Sequence, residues 1–219
     1  MELEFRFPNK GLAMAQTEFI YFDLGKVIFE FDHQIACRAL AKQTGLTPER
    51  VFESVFESGL EERYETGLVN CQEFHREFCK ANNVEIPQDD FLHSIGDVFE
   101  PNRKIFGLIG QLSSRNYPIG ILSNTCPAHW NFVFKRYTIL KHFFPTTILS
   151  FEVNSMKPDP VIYQRAIEQA KCPAQNCFFV DDKQENVDGA IKAGMDAVLY
   201  TSVRQLVDDL ESRGVQINY

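Results

Sequence analysis

The sequence predicts an α/β protein in which a parallel sheet is flanked by helices and a helical segment is inserted after the first strand. In the second half of the chain, apolar runs of four or five residues alternate with helical patterns, as in parallel sheets covered on both faces. One more apolar run, at residues 19–22, lies near the start. About 70 residues of helical pattern separate it from the rest, which indicates an insertion into one sheet.

The first strand is predicted at residues 19–22 (FIYF) and is followed directly by Asp23. From about residue 31 to residue 99 the pattern is helical. Thr47 followed by Pro48 is typical of a helix N-terminus, and the segment 70–73 (NCQE) predicts a capping box. A last helix of this block is predicted at residues 89–99.

After Pro101 helices and strands alternate. Helices are predicted at residues 102–114, 127–137, 160–170, 185–193 and 203–212, and strands at residues 119–122, 147–150, 177–180 and 197–200. We expect an N-terminal extension (residues 1–16), a core (17–29 and 101–219) and a helical cap (30–100).

Composition excludes several classes of protein. A formal net charge of −8 and a pI near 5.2 argue against a surface for nucleic acids or anionic membranes. No apolar run approaches the ~20 residues of a membrane span, and the first residues lack the pattern of a signal peptide. The six cysteines contain no C-x-x-C pair. We therefore expect a cytoplasmic protein, monomeric or homodimeric, and Met14 is a possible alternative start.

Polar groups follow the predicted strands where each strand ends. Asp23 follows the first, Ser123 and Asn124 end the second, and Asp181 and Asp182 end the fourth. Because ligands of open parallel sheets bind beyond the carboxyl ends of the strands, these groups are expected to meet there. Three neighbouring carboxylates repel one another unless a cation lies among them, and oxygen ligands of this kind suit Mg²⁺.

Lys157, in the segment SMKPDP after the third strand, adds an ammonium to the same edge of the sheet. A metal, an ammonium, a hydroxyl and a free carboxylate together make a site for a phosphate dianion. Asp23 is the natural nucleophile of such a site, forming an acyl phosphate that water cleaves. The predicted substrate is a small phosphorylated metabolite.

Four segments, FDLGKV, ILSNT, KPDPVIY and FVDDKQENVDGA, resemble in order and spacing the four motifs of the haloacid dehalogenase (HAD) superfamily. The resemblance implies a Rossmann-like core, and the insertion looks like the helical (C1-type) cap of its subfamily I. The sequence pattern FDLGxV…D, with SNT…H in the second motif, is similar to that of a bacterial branch that includes α-D-glucose-1-phosphate phosphatases.

The resemblance also implies roles for single residues. Asp23 would be the nucleophile, and Mg²⁺ would be held by Asp23, the Gly25 carbonyl and Asp182. Asp181 would bind a metal-bound water, and Asn186 would support the metal ligands. The phosphate would be held by Ser123, Asn124 and Lys157.

Gly25 departs from the pattern of most phosphatases of this superfamily, which carry a second aspartate there as general acid. General acid catalysis is typically worth roughly 10²–10⁴-fold in rate. Three interpretations stay open: a good leaving group such as the anomeric oxygen of a sugar 1-phosphate, His129 as a substitute and phosphate-site residue, or a weak or inactive relative that only binds. Whether Lys26 faces solvent or the phosphate also stays open.

Other activities fit the sequence less well. A haloacid dehalogenase also lacks the second aspartate, but it uses no metal, which would leave the adjacent Asp181 and Asp182 without a role. A phosphomutase would need the missing acid. In the cap, Arg63, Tyr64 and Glu65 of the predicted loop 62–67 are candidates for contacts to substrate hydroxyls.

Overall fold

A computed structural model of the chain describes residues 16–218. The expected N-terminal extension therefore lies outside the described residues except for residue 16, as does Met14. Seven strands are described: β1 (Phe19–Phe22), β2 (Phe29–Phe31), β3 (Phe99–Pro101), β4 (Ile119–Ser123), β5 (Thr146–Leu149), β6 (Cys177–Asp181) and β7 (Asp196–Leu199).

Twelve α-helices are described in the same range. They are α1 (His33–Thr44), α2 (Pro48–Phe52), α3 (Leu60–Glu65), α4 (Cys71–Asn82), α5 (Gln88–Gly96), α6 (Phe106–Ser114), α7 (Pro127–Arg136), α8 (Thr138–Phe143), α9 (Ser150–Val153), α10 (Pro160–Ala170), α11 (Gln184–Lys192) and α12 (Val203–Ser212). A π-helical turn, Glu53–Glu57, continues α2, and a short 3₁₀ turn, Ala174–Asn176, precedes β6.

The main sheet has five strands in the order β5-β4-β1-β6-β7, and each pair of neighbouring strands in it is parallel. β1 lies at the centre, and all four of its residues are buried because it has a neighbouring strand on each side and helices on both faces. Its side chains alternate between the two faces: Ile20 and Phe22 join one apolar cluster, and Phe19 and Tyr21 join the other. The predicted α/β fold with a parallel sheet is confirmed.

The helices α1 to α5, which we call the helical insert (residues 33–96), are bracketed by a two-stranded ribbon that the sequence did not predict. β2 and β3 pair antiparallel, with Phe29 opposite Pro101 and Phe31 opposite Phe99. The predicted helix 89–99 is therefore wrong at its end, since α5 stops at Gly96. Three-residue strands are too short to show an alternating pattern in the sequence. The ribbon forms by pairing residues about 70 positions apart, such as Glu30 with Glu100, and no local pattern indicates such a pairing.

Local end signals explain where several helices begin. The predicted capping box is present: Glu73 N donates to Asn70 Oδ1 (3.0 Å) and Asn70 N donates to Glu73 Oε2 (2.9 Å). The helix predicted from Asn102 begins at Phe106 instead. The Asn102 side chain donates to the Val27 carbonyl (2.9 Å) and to the Tyr200 hydroxyl (3.1 Å), so it fastens the loop and does not cap a helix.

All six cysteines are free thiols, and three of them are buried (Cys37, Cys126 and Cys177). Within residues 16–218, no helix combines the length and the apolar character that crossing a bilayer requires.

Candidate active site

Asp23, Ser123 and Asp181 end or follow neighbouring strands, so the parallel sheet brings them to one edge. Asp23 N donates to the Val180 carbonyl (2.9 Å), which extends the pairing of β1 with β6 by one residue. Ser123 and Asp181 are the last residues of β4 and β6 and are buried. Asp23 and Ser123 line one cavity together with Asp182 and Lys157, and Asp181 lies behind it against the Lys157 ammonium. The predicted convergence of these groups is present in the structure.

Lys157 joins the two buried carboxylates. Its Nζ donates to Asp23 Oδ1 (2.8 Å), to Asp181 Oδ2 (2.6 Å) and to the Leu122 carbonyl (2.9 Å). Burial disfavours the ammonium, but the two carboxylates outweigh it, and the pKa of Lys157 lies above its ordinary value. Burial also raises the pKa of Asp23 to about 6, against the opposing effect of Lys157. The ammonium thus holds the nucleophile candidate in place.

Asn124 positions Lys157 through the backbone. Its Oδ1 accepts from Lys157 N (2.7 Å), and its Nδ2 donates to the Lys157 carbonyl (2.9 Å). Both polar atoms of the Asn124 side chain therefore bind the backbone of Lys157. Neither Asn124 nor Thr125 caps the following helix, because α7 begins after Cys126 and has no side-chain cap.

Asp181 and Asn186 form a second buried pair behind the lysine. Asn186 Nδ2 donates to both carboxylate oxygens of Asp181 (3.0 and 3.1 Å), and Lys183 N donates to its Oδ1 (2.8 Å). Asn186 Oδ1 is buried and has no hydrogen-bond partner within the described residues. A buried acceptor without a partner is costly unless something absent from the protein itself satisfies it, such as water or a cation.

The donor set of this edge fits a hard divalent cation. One oxygen each from Asp23, Asp181 and Asp182 lie within 4.8 Å of one another. Partial burial, and then the charge of Asp181, raise the pKa of Asp182 against the smaller opposing effects of Lys183 and Lys157. The Gly25 carbonyl accepts from Val27 N (2.7 Å) and keeps a second lone pair. Oxygen ligands of this kind match the coordination preference of Mg²⁺.

The place where a side chain at position 25 would lie is occupied by Phe31. A Cβ on Gly25 would be 2.8 Å from Phe31 Cε1, closer than real Cβ contacts come. Lys26 holds that ring from the other side: its Nζ donates to the Phe31 carbonyl (2.9 Å) and to Glu30 (3.3 Å), 4.8 Å from the ring centroid. Lys26 does not line the cavity. A side chain at position 25 would therefore have to displace the Phe31 ring.

The helical insert supplies the opposite wall of the cavity. The predicted loop 62–67 is helical as far as Glu65, the last residue of α3, and only Glu65 of the three suggested contacts lines the cavity. Arg63 pairs with Glu77 outside it (2.8 Å), and the ring of Tyr64 is buried, so neither of the other two suggestions is correct.

Three titratable residues line the cavity without having been predicted from the sequence: His33, Glu61 and Lys183. Glu61 and Glu65 are four positions apart, a spacing that puts both carboxylates on one face of a helix, and this signal could have been read from the sequence. His33 carried no such signal, because its place beside the cavity depends on how the insert packs on the core.

His129 is buried at the start of α7, where it lines the cavity. Burial, and then the nearby His33, lower the pKa of His129 to about 3, and burial lowers that of His33 to about 4. The two rings lie 6.2 Å apart between centroids. Both imidazoles are therefore neutral at neutral pH.

Comparisons with known proteins indicate the family and the fold of the chain. The family described as Haloacid dehalogenase-like hydrolase matches residues 16–200. A glyceraldehyde 3-phosphate phosphatase of Methanothermobacter thermautotrophicus is 29% identical over 110 residues, 48% of this chain and 48% of the relative. Flavin mononucleotide hydrolase 1 of Arabidopsis thaliana is 26% identical over 103 residues, 47% of this chain and 38% of the relative. The matched region spans about half the length of these curated relatives or less.

Among solved structures, the HAD family enzyme BT-2542 of Bacteroides thetaiotaomicron, in complex with magnesium and inorganic phosphate, has a TM-score of 0.76 at 22% identity. The match covers 85% of this chain and 96% of that one. It extends the agreement from the sequence to the fold. Because the family model matches residues 16–200, most of this chain, the chain belongs to the haloacid dehalogenase-like hydrolases.

Proposed function

We propose that this protein hydrolyses phosphate monoesters of small metabolites, such as sugar 1-phosphates, with Mg²⁺ as cofactor. The observation that carries the proposal is the contact of the Lys157 ammonium with both Asp23 and Asp181 at the edge of the sheet (2.8 and 2.6 Å). It gives a phosphate dianion one fixed positive charge beside a carboxylate that can attack it. Phosphoryl transfer depends mainly on such positioning and charge neutralisation.

The site residues have distinct parts in this reaction. Asp23 attacks phosphorus and forms an aspartyl phosphate while the ester oxygen leaves, and water then cleaves the acyl phosphate. Lys157 and the hydroxyl of Ser123 hold the phosphoryl oxygens, and Asn124 keeps Lys157 in place through its backbone. Asp23, the Gly25 carbonyl and Asp182 would hold the magnesium ion, with Asp181 reaching it through water and Asn186 in support. When bound, that ion would neutralise charge on the carboxylates and the phosphoryl group.

The relatives support this class of reaction. Two are named as enzymes that act on small phosphorylated compounds, a triose phosphate and a flavin nucleotide. The BT-2542 structure contains magnesium and inorganic phosphate. A sugar 1-phosphate is the finer part of the proposal, since an anomeric oxygen is a less basic leaving group than an ordinary alkoxide.

The proposal also assigns residues 30–100 as a cap domain over a core formed by residues 17–29 and 101–219. Both boundaries fall at or within the ribbon formed by β2 and β3, where the chain passes between the sheet and the helical insert. Glu65 of α3 lies across the cavity from the strand ends. A cap that shares the cavity with the core would decide which leaving groups fit.

The test is metal-dependent hydrolysis of p-nitrophenyl phosphate by the wild type and by Asp23→Asn. We expect release of the phenol with Mg²⁺ and its loss in the variant, because an amide cannot form the acyl phosphate. Asp208→Asn, a substitution of an exposed residue on α12, is the matched control and should keep full activity. Release without metal, or by the Asp23 variant, would reject the mechanism. No release from a panel of esters would mark a protein that only binds phosphates.

A further inference from the structure

The proposed reaction needs a proton donor for alkoxide leaving groups, and position 25 has none. The ring of Phe31 fills the space that a carboxyl group at position 25 would use. The donor must therefore reach the cavity from another element. Four titratable side chains line the cavity besides Asp23, Lys157, Asp182 and Lys183. They are His33, Glu61, Glu65 and His129.

We propose that Glu65 of the helical insert is the general acid for the leaving group and then the general base for water. The inference rests on the proposed function, which it deepens by naming the residue that does the work of the missing aspartate. It also widens the substrate class, because esters with basic alkoxide leaving groups become accessible.

The backbone on both sides of Glu65 is fixed to the core. The Tyr64 hydroxyl accepts from Ala128 N (3.1 Å) at the start of α7. On the other side, Asn154 Nδ2 donates to the Thr66 carbonyl (3.1 Å). A catalytic group must be held in place by its neighbours, and these two contacts tie the end of α3 to the elements that follow β4 and β5.

Glu65 is part of a cluster with Glu61 and His129. One ligand atom of each lies within 4.8 Å of the others. Glu61 Oε1 is buried and has no hydrogen-bond partner within residues 16–218. Burial, and then the charge of Glu65, hold the pKa of Glu61 well above its ordinary value. The charges of Asp23 and Lys157 act on Glu65, whereas the charges that act on Glu61 are those of Glu65 and Lys183, so Glu65 is the carboxyl group of the pair that faces the attacking group.

Glu65 itself titrates in the range that acid–base catalysis needs. Burial raises its pKa to about 7, and the charge of Lys183 opposes that effect. An acid works best when its pKa lies near the working pH. The titratable and charged groups that face it are Glu61 and Glu62 of its own helix, His129 of α7, Asp23 after β1, Lys157 before α10 and Lys183 after β6.

The other candidates are excluded by their charge state. The imidazoles of His33 and His129 are neutral because burial lowers their pKa values to about 4 and about 3. Each has already lost the proton that an acid would give. This changes the interpretation of His129 that the sequence left open: its ring borders Glu65 and does not replace it as donor.

The proton balance closes over one turnover. As Asp23 forms its bond to phosphorus and the ester P–O bond breaks, the proton of Glu65 passes to the departing alkoxide oxygen. The Glu65 carboxylate then takes a proton from the water that attacks the aspartyl phosphate. Inorganic phosphate leaves, and Asp23 and Glu65 return to their starting states.

The experiment compares Glu65→Gln with the wild type in the first turnover, by rapid mixing with Mg²⁺. The two esters differ in leaving group: p-nitrophenyl phosphate, whose phenolate departs without a proton, and a sugar 6-phosphate, whose alkoxide needs one. We expect Glu65→Gln to slow the first turnover of the sugar ester by about 10²–10⁴-fold and to leave the nitrophenolate burst nearly unchanged. The burst should then be followed by a slow steady state, since the base for water is lost.

The pH profile of sugar ester cleavage gives a second readout. In the wild type, activity should fall as the pH rises through about 7, where Glu65 loses its proton, and Glu65→Gln should lack this alkaline limb. Glu57→Gln, which changes an exposed carboxylate in the π-helical turn of the same insert, is the matched control and should behave as the wild type.

The outcomes separate the two proposals. Equal slowing of both esters by Glu65→Gln would indicate a structural role and overturn the assignment of Glu65, as would an unchanged sugar ester rate. A wild type that cleaves neither ester would reject the proposed function itself. The nitrophenolate burst of Glu65→Gln also reports that the variant is folded and that Asp23 still attacks.

Discussion

The edge of the sheet and the helical insert both present carboxylates to the same cavity, but they treat them differently. At the edge, Asp23 and Asp181 each accept from Lys157, and Asp181 also accepts from Asn186. In the insert, Glu61 and Glu65 lie beside each other and beside His129, with one ligand atom of each within 4.8 Å of the others, and Glu61 Oε1 is buried without a hydrogen-bond partner within residues 16–218. The core pairs its carboxylates with a buried ammonium, whereas the insert places its two carboxyl groups against each other.

This difference follows from how the two regions are built. Parallel strands end at a common edge, so residues far apart in sequence bring an ammonium and two carboxylates into contact. A helix places residues i and i+4 on one face, and two acids at that spacing repel unless a proton neutralises one of them. A division of work results, with charge-stabilising groups in the core and the proton-transfer group in the insert.

The largest expected effect comes from removing the charge that the core depends on. Lys157→Met would leave Asp23 and Asp181 buried without their cation, and breaking a buried ion pair in this way costs about 3–5 kcal/mol of unfolding free energy. Urea unfolding in the presence of EDTA measures the loss without a contribution from bound metal. Phosphatase activity should disappear with it.

The matched control for this variant is Lys192→Met, which changes an exposed lysine on α11. Surface changes of this kind stay within about 0.5 kcal/mol. A loss below about 1 kcal/mol for Lys157→Met would contradict the view that the core is organised around this ammonium.

The sequence predicted the core site better than the insert. Asp23, Ser123, Asp181 and Lys157 were found because strand ends converge by geometry alone, and the polar residue after an apolar run is visible in the sequence. On the insert side, the sequence predicts a loop at residues 62–67, where α3 in fact continues to Glu65, and it does not single out Glu61. Its place in the cavity depends on contacts such as Tyr64 with Ala128, which join residues 64 positions apart and leave no local pattern.

The next prediction tests whether the core can accommodate an acidic side chain at position 25. Gly25→Asp should destabilise the protein by about 1–3 kcal/mol, because its Cβ overpacks against Phe31. In a Phe31→Ala background the clash is gone, so the same substitution should cost less. Urea unfolding of the four proteins gives a coupling energy, expected to be about 1–2 kcal/mol.

The control for this cycle is Gly110→Asp, since no heavy atom lies within 4 Å of a Cβ at that position. It should be additive with Phe31→Ala. If Gly25→Asp is additive as well, Phe31 does not exclude an acid from position 25. If coupling is found, adding both changes to Glu65→Gln should restore part of the cleavage of sugar 6-phosphates, since an acid would then return to the core.

The smallest effect concerns the pH dependence of stability. Because the pKa of Glu65 is raised to about 7 in the folded protein, the folded state binds more protons than the unfolded state between about pH 4.5 and 7. Stability contributed by the protonated form is present below that range and is lost as the pH rises through about 7. Glu65→Gln removes this loss, so relative to the wild type it should gain about 1–2 kcal/mol between pH 5 and pH 8.

Urea unfolding at the two pH values, with EDTA present, measures this gain. Asp23 and Glu61 also have raised pKa values, but they are present in both proteins and drop out of the difference to first order. Glu57→Gln, the exposed control, should give no such change between the two pH values. A Glu65→Gln variant whose stability fell with pH as steeply as the wild type would mean that Glu65 carries no proton at neutral pH, and the core and the insert would then not differ in the way their contacts indicate.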